Sequence, residues 1–197
     1  KLFKQVYQTI ILMPYLIPIV VVSYLVFAML SSESGFINNT IFKALGINPI
    51  SWYTEPKYWP FILVIVHIWK VFGYDCILYY ATLVGIDHGY YEAAVIDGAN
   101  RWQTIWHVTV PGLYSTFFVL LLLQISNILS NGFDQYFVFY NPLTADKLEV
   151  LDYYVYKIGV LTNNYPQSIA LGMFKTIISV TLLSVSYTHL TLPTIRL

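Results

Sequence analysis

Residues 90–111 read YYEAAVIDGANRWQTIWHVTVP, and they lie between two long apolar stretches, residues 59–86 and 110–129. Residues 90–96 are compatible with a helix, and Glu92 is expected in its first turn, where a carboxylate complements the helix dipole. Gly98 interrupts the pattern. Glycine tolerates backbone conformations that are costly for other residues, so a turn is predicted there. Asp97 is suited to cap a second helix, and Arg101, four residues on, is placed to pair with it. Trp102, Ile105, Trp106 and Thr109 recur at helical spacing and give that second helix a largely apolar face. Pro111 stands where a proline can open the following helix. A connection this long, bent and half-apolar implies contact with something outside the bilayer, either lipid headgroups or another protein.

The surrounding chain is built for lipid. Of its 197 residues, 57% are hydrophobic and only 10% charged, and the mean hydropathy is +0.63. Soluble domains carry roughly 25% charged residues, so water is not the main solvent of this chain. The formal net charge is zero, which gives no pointer to nucleic acid or to an acidic partner. Cys76 is the single cysteine, lies in an apolar run and has no partner for an internal disulfide.

A membrane helix needs ~20 mostly apolar residues, and four stretches qualify: 10–30, 59–86, 110–129 and 168–184. The first contains Pro14 and Pro18, which inside lipid kink a helix without ending it. The second carries His67, Lys70 and Asp75, and the fourth carries Lys175. Polar connections fill 31–58 and 131–167. Trp52, Tyr53, Tyr58 and Trp59 read as an aromatic belt at one membrane interface. Leu151, Tyr154, Val155 and Ile158 fall at helical spacing, as in an amphipathic helix on the surface or against the bundle. Four spans place both long connections on one side and the central loop, with both chain ends, on the other. Lys/Arg counting does not choose between the sides. Lys1, Lys4 and Arg101 oppose Lys43, Lys57, Lys147 and Lys157.

In the central connection, Glu92, Ala93, Ala94, Gly98, Val108, Val110 and Pro111 satisfy the order Glu-Ala-Ala, three residues, Gly, nine residues, apolar, any, apolar, Pro. This resembles the EAA loop of binding-protein-dependent ABC importer permeases, with Asp97-Gly98-Ala99 in the form common in their sugar branch. The flanking WKVFGYDCILYYATLVGI (69–86) and GFDQYFVFYNP (132–142) are similar to LplB-type oligosaccharide permeases. The resemblance covers residues 10–183 or so. It implies an all-α transmembrane fold, here four helices of a core of about six, and a loop at about 87–111 that faces the cytoplasm of a multi-pass bacterial inner-membrane protein. It further implies a loop docked on a separate ATP-hydrolysing subunit through Glu92, Ala93 and Ala94, with Gly98 as the bend. The implied complex holds a second permease chain, two ATP-binding subunits and an extracellular solute-binding protein, and it moves a carbohydrate. Residues 1–184 then form a partial permease domain. Residues 185–197, which contain VSYTHLTLPT, resemble a translated sequencing adapter and are expected to be a non-native tail.

Gln124, Ser126, Asn127 and Asn131 are candidates for a sugar path and equally for polar glue between helices. Lys70 and Asp75 are five residues apart, a poor spacing for a pair on one helix. Asn38-Asn39-Thr40 is a formal glycosylation sequon. The sequence has no G-x-x-x-x-G-K-[ST] loop, so any ATP is expected on another chain and no cofactor on this one. His67, His88, His107 and His189 lack metal-ligand spacing, and no catalytic constellation is present. The competing expectation is an ion-gradient-driven transporter or channel that uses Lys70, Asp75 and Lys175 as a charge relay.

Overall fold

The computed structural model describes residues 2–130 and 132–194, and among them every regular element is helical. Three helices are long and apolar enough to cross a bilayer, and a bent helix pair makes a fourth candidate span. The bent pair is α1 (Leu2–Leu16) and α2 (Ile19–Leu30), joined at Pro18. Helix α3 (Lys43–Leu45) belongs to the following connection, and α4 (Trp59–Gly85) is the first continuous span. At 1.5 Å per residue its 27 residues reach ~40 Å, more than the ~30 Å of hydrocarbon. Two short helices follow, α5 (His88–Ile96) and α6 (Arg101–Thr104), then the span α7 (Val110–Ser126). Helices α8 (Phe133–Phe139), α9 (Ala145–Leu148) and α10 (Leu151–Tyr156) precede the last span, α11 (Tyr165–Thr194).

The first span departs from the expected kink. Its halves meet at 92°, far beyond what a proline bend inside one helix produces. Pro14 stays within α1. Pro18 does the breaking, in an extended conformation (φ −56°, ψ 140°) just before α2. The chain therefore leaves the helix at residue 17 and restarts in a new direction. Helix α1 packs along α4, while α2 packs against α8.

The buried core lies at the end of the bundle opposite the central loop. Val22, Trp59, Leu63, Val66, Phe139 and Leu148 form one cluster. Trp59 is fully buried, and its indole Nε1 donates to the Trp52 carbonyl at 3.1 Å. The expected interfacial belt is in part a structural core. The ring of Tyr53 meets Trp59 edge-on, and Asn141 donates to the Tyr53 carbonyl at 3.1 Å. Burial of the Tyr53 phenol pushes its pKa up to about 12, because a phenolate loses solvation there.

Asn38 organises the rest of this outer cap. Its amide donates to the carbonyls of Ser31 (3.3 Å) and Ile50 (2.9 Å), and accepts from Ile50 N–H (3.2 Å) and Trp52 Nε1 (3.3 Å). All four hydrogen-bonding positions of the amide are in use, and the residue is buried. The sequon asparagine is thus a structural pin and not an exposed acceptor of glycan. Gln135 plays a similar part, donating from a buried position to the Leu63 carbonyl at 2.9 Å.

Helix α10 packs against α11, resolving the choice between surface and bundle. The face it buries is centred on Tyr153, whereas Tyr154 is 40% exposed. Ser168 on α11 donates to the Val155 carbonyl at 3.0 Å, and Lys175 pairs with Asp152. In the connection between the spans α7 and α11, Lys157 and Glu149 form an exposed ion pair at 3.0 Å, and the bond to Glu149 holds the Lys157 pKa above its usual value.

Candidate functional site

The central loop is a helix, a tight turn and a second helix that runs directly into α7. Asp87 caps the first helix, its carboxylate accepting from Gly89 N–H at 2.9 Å. Helix α5 starts at His88, earlier than expected. Glu92 therefore sits in the second turn, beyond the strongest part of the helix dipole.

Gly98 forms the bend. Its φ of +74° is left-handed, and two backbone bonds close the helix end: Gly98 N–H to Val95 O at 3.1 Å and Ala99 N–H to Ala94 O at 2.9 Å. This pair of bonds is the Schellman arrangement, which requires a residue at positive φ just after the helix. The same arrangement corrects the reading of Asp97 and Arg101. Asp97 is the last, C-terminal cap of α5 and not the first residue before α6. Because Gly98 and Ala99 are both consumed in ending α5, the next helix can start only afterwards, and Asn100 caps it. Asn100 accepts from Gln103 N–H at 2.9 Å, and Gln103 Oε1 accepts from Asn100 N–H at 2.8 Å. This reciprocal capping box was readable in the sequence as Asn100-x-x-Gln103. No Asp97–Arg101 ion pair forms among the described residues.

Between α6 and α7, residues Ile105–Thr109 adopt a π-helical turn. Pro111 supplies the reason, since it has no N–H to continue the regular ladder. The widened turn instead lets Val110 N–H reach Ile105 O. The helix is continuous from Arg101 to Ser126. The loop's second half therefore joins the span with no break in the helix.

Several contacts mount the loop on the bundle. Tyr91 Oη and Thr109 Oγ1 are hydrogen-bonded at 3.2 Å, tying α5 to the π turn. Thr82 and Thr116 share a 2.7 Å bond between α4 and α7. Gly112 lies so close to Ile86 that a Cβ would meet its Cδ1 at 2.6 Å. The outward face is apolar: Val95, Ile96, Trp102 and Trp106 are 72%, 86%, 72% and 63% exposed. Glu92, Ala93, Asp97 and Gly98 are also exposed, with Ala94 and Ala99 half-buried.

The other sequence candidates are dispersed. Gln124 and Asn127 lie exposed at the end of α7 away from the loop, where Asn127 is the C-terminal cap. Asn131 falls outside the described residues. Lys70, Asp75 and Lys175 do not form a relay. Lys70 donates to three backbone carbonyls, Lys175 is held by Asp152, and Asp75 is in no ion pair among the described residues. No cluster of three or more metal-ligating side chains occurs among the described residues.

A bundle of apolar helices carrying a braced, bent loop between its two central spans defines a membrane permease component. The chain belongs to the family of binding-protein-dependent transport system inner membrane components, whose model matches residues 1–192. It is 34% identical to protein LplB of Bacillus subtilis (strain 168) over 92% of this chain and 57% of that protein. The polygalacturonan/rhamnogalacturonan transport system permease protein YteP of the same organism is 33% identical over 88% of this chain and 54% of its own length. Among solved structures, a chain of a bacterial ABC transporter involved in the import of the acidic polysaccharide alginate superimposes with a TM-score of 0.91 at 31% identity. That match covers 97% of this chain and 66% of the other. The chain thus spans between half and two thirds of the length of these relatives.

Proposed function

We propose that this chain is the transmembrane subunit of an ATP-driven importer of a carbohydrate, an oligosaccharide, in a bacterial inner membrane. The observation that carries the proposal is the mounting of the central loop. A Schellman bend, a capping box and a helix continuous into α7 make a stiff lever whose outer face is apolar and exposed. Residues 87–111 face the cytoplasm in this reading, and the apolar face docks on a separate ATP-hydrolysing subunit. Glu92 supplies the polar contact, Ala93 and Ala94 allow close approach, and Gly98 keeps the bend. Closure of two such ATPase subunits pulls the loops together, and α7 carries that displacement into the spans.

The complete assembly would pair this subunit with a second permease chain and two ATP-binding subunits, and would receive its substrate from an extracellular solute-binding protein. The solved relative crystallised in complex with an alginate pentasaccharide-bound periplasmic protein supports this organisation. Gln124 and Asn127, polar groups at the far end of α7, are candidates for the sugar path, as is Asn131 by its sequence position.

The test is uptake into proteoliposomes that hold the complete transporter. Uptake of a labelled oligosaccharide that needs ATP and the binding protein, and is lost in Glu92→Lys, supports the proposal. Uptake that runs on an imposed ion gradient without ATP overturns it.

A further inference from the structure

The broken first span ends on a single side chain. Pro18 has no N–H and the chain turns away at residue 17, so Pro14 O receives only a long backbone bond from Ile17 N–H, 3.4 Å, and the helix does not continue to serve the carbonyls after it. Lys70 of α4 points its ammonium into this end and donates to Pro14 O, Tyr15 O and Ile17 O at 3.4, 2.9 and 2.6 Å. An ammonium has three N–H donors, and here each faces one carbonyl. Inside a bilayer no water is present to satisfy those oxygens, and the carbonyl end of a helix attracts a cation. The pairing meets both demands.

The seat is wider than one residue. One turn along α4, Gly73 is buried where the Ile11 backbone carbonyl leaves no room for a Cβ. Beside it, Tyr74 stacks on Tyr15 with ring centroids 4.6 Å apart and planes 13° apart. Lys70, Gly73 and Tyr74 therefore occupy one stripe of α4, at i, i+3 and i+4, and the whole stripe receives the end of α1. Beyond the bend, α2 rests on α8, part of the outer cap. The 92° angle at Pro18 thus sets the direction in which α2 leaves α1 and the α4 stripe that holds it.

We propose that Lys70 is a positioning residue: its ammonium locks the carbonyl end of the broken span onto α4 and so fixes the bend that sets the direction of α2 during transport. With all three donors engaged, Lys70 contacts neither an acidic sugar nor a second ionisable group in this state. The inference uses the transport reading only for its activity measurement, and its structural measurement is independent of that reading.

The experiment uses the full-length subunit in its assembled transporter, in lipid, with Cys76→Ser as background. Spin labels at Tyr7→Cys and Tyr24→Cys, both exposed positions on either side of the bend, report the distance across it. The unaltered lysine is expected to give one narrow distance, and Lys70→Arg, which keeps charge and donors, to retain it. Lys70→Met is expected to broaden the distribution and to lose uptake while the complex still assembles. Lys70→Gln, a milder change with two donors and no charge, is expected to fall between and serves if the methionine variant does not assemble. A distance that stays narrow in both neutral variants overturns the proposal, whether uptake survives or not. Lost uptake at an unchanged distance would mean that the lysine acts on substrate. A broadened distance supports the proposal even if uptake proves to be driven by an ion gradient, which would sink only the ATP-driven reading.

Discussion

Replacing Gly98 by alanine isolates the backbone cost of the loop's bend. Nothing lies within 4 Å of a Cβ built at this position, so the substitution creates no clash. The cost comes from φ alone, +74°, and holding an L-residue there costs roughly 1–2 kcal/mol. Two bonds depend on that conformation, Gly98 N–H to Val95 O and Ala99 N–H to Ala94 O. A penalty of this size shifts the balance between bent and opened loop by about 5–30-fold. Amide hydrogen exchange in lipid nanodiscs is the assay. Exchange at Ala99 is predicted to quicken by about that same 5–30-fold factor in Gly98→Ala, since local opening governs it. Amides within α4 and α7 should be unaffected. Gly98→Asn should fall between glycine and alanine, because asparagine tolerates the left-handed region better. Equal exchange at Ala99 in all three proteins would show that the left-handed φ at Gly98 does not hold the bend, as would an increase spread evenly over the spans.

Three further outcomes follow from other parts of the molecule. Asn38→Ala removes a side chain that makes four hydrogen bonds, and at about 1 kcal/mol each the outer cap should lose roughly 3–4 kcal/mol, measurable as a lower melting temperature and altered Trp52 emission. Asp152→Asn leaves Lys175 largely buried without its counter-charge, a loss of about 3 kcal/mol; the exchanged pair Asp152→Lys with Lys175→Asp should recover much of it in the same thermal assay. The Tyr53 phenol should titrate at about 12, later than the ordinary value of about 10. Because the folded value is the raised one, its contribution to stability is complete below pH ~10 and is lost as pH rises through about 12, visible by NMR of ring-labelled tyrosine as a signal absent from Tyr53→Phe.

The spans and the bent loop were legible in the sequence because composition and a glycine at a turn leave few alternatives. The three continuous spans start and stop close to the expected limits, except that α11 extends at both ends. Local competition was harder to read. Asp97 and Asn100 are both good caps, and the choice between them rests on Gly98 and Ala99 being spent on closing α5. The capping-box spacing of Asn100 and Gln103 would have decided it. Other features depend on tertiary contacts that no periodicity reports. Lys70 serves carbonyls more than fifty positions earlier in the chain. Trp59 looks interfacial by type, yet α8 and α9 bury it. Tyr153, and not Tyr154, turns inward on α10, where it stacks on Tyr140 from the end of α8.

The claim on which the account rests is that the exposed face of residues 87–111 meets an ATP-hydrolysing subunit. A photo-reactive cross-linker on Ala93→Cys, in a Cys76→Ser background within the assembled transporter, tests it most directly. One adduct with the ATPase subunit is expected, with a yield that changes when ATP is added. Adducts with lipid alone, under every nucleotide condition in an intact complex, would contradict it.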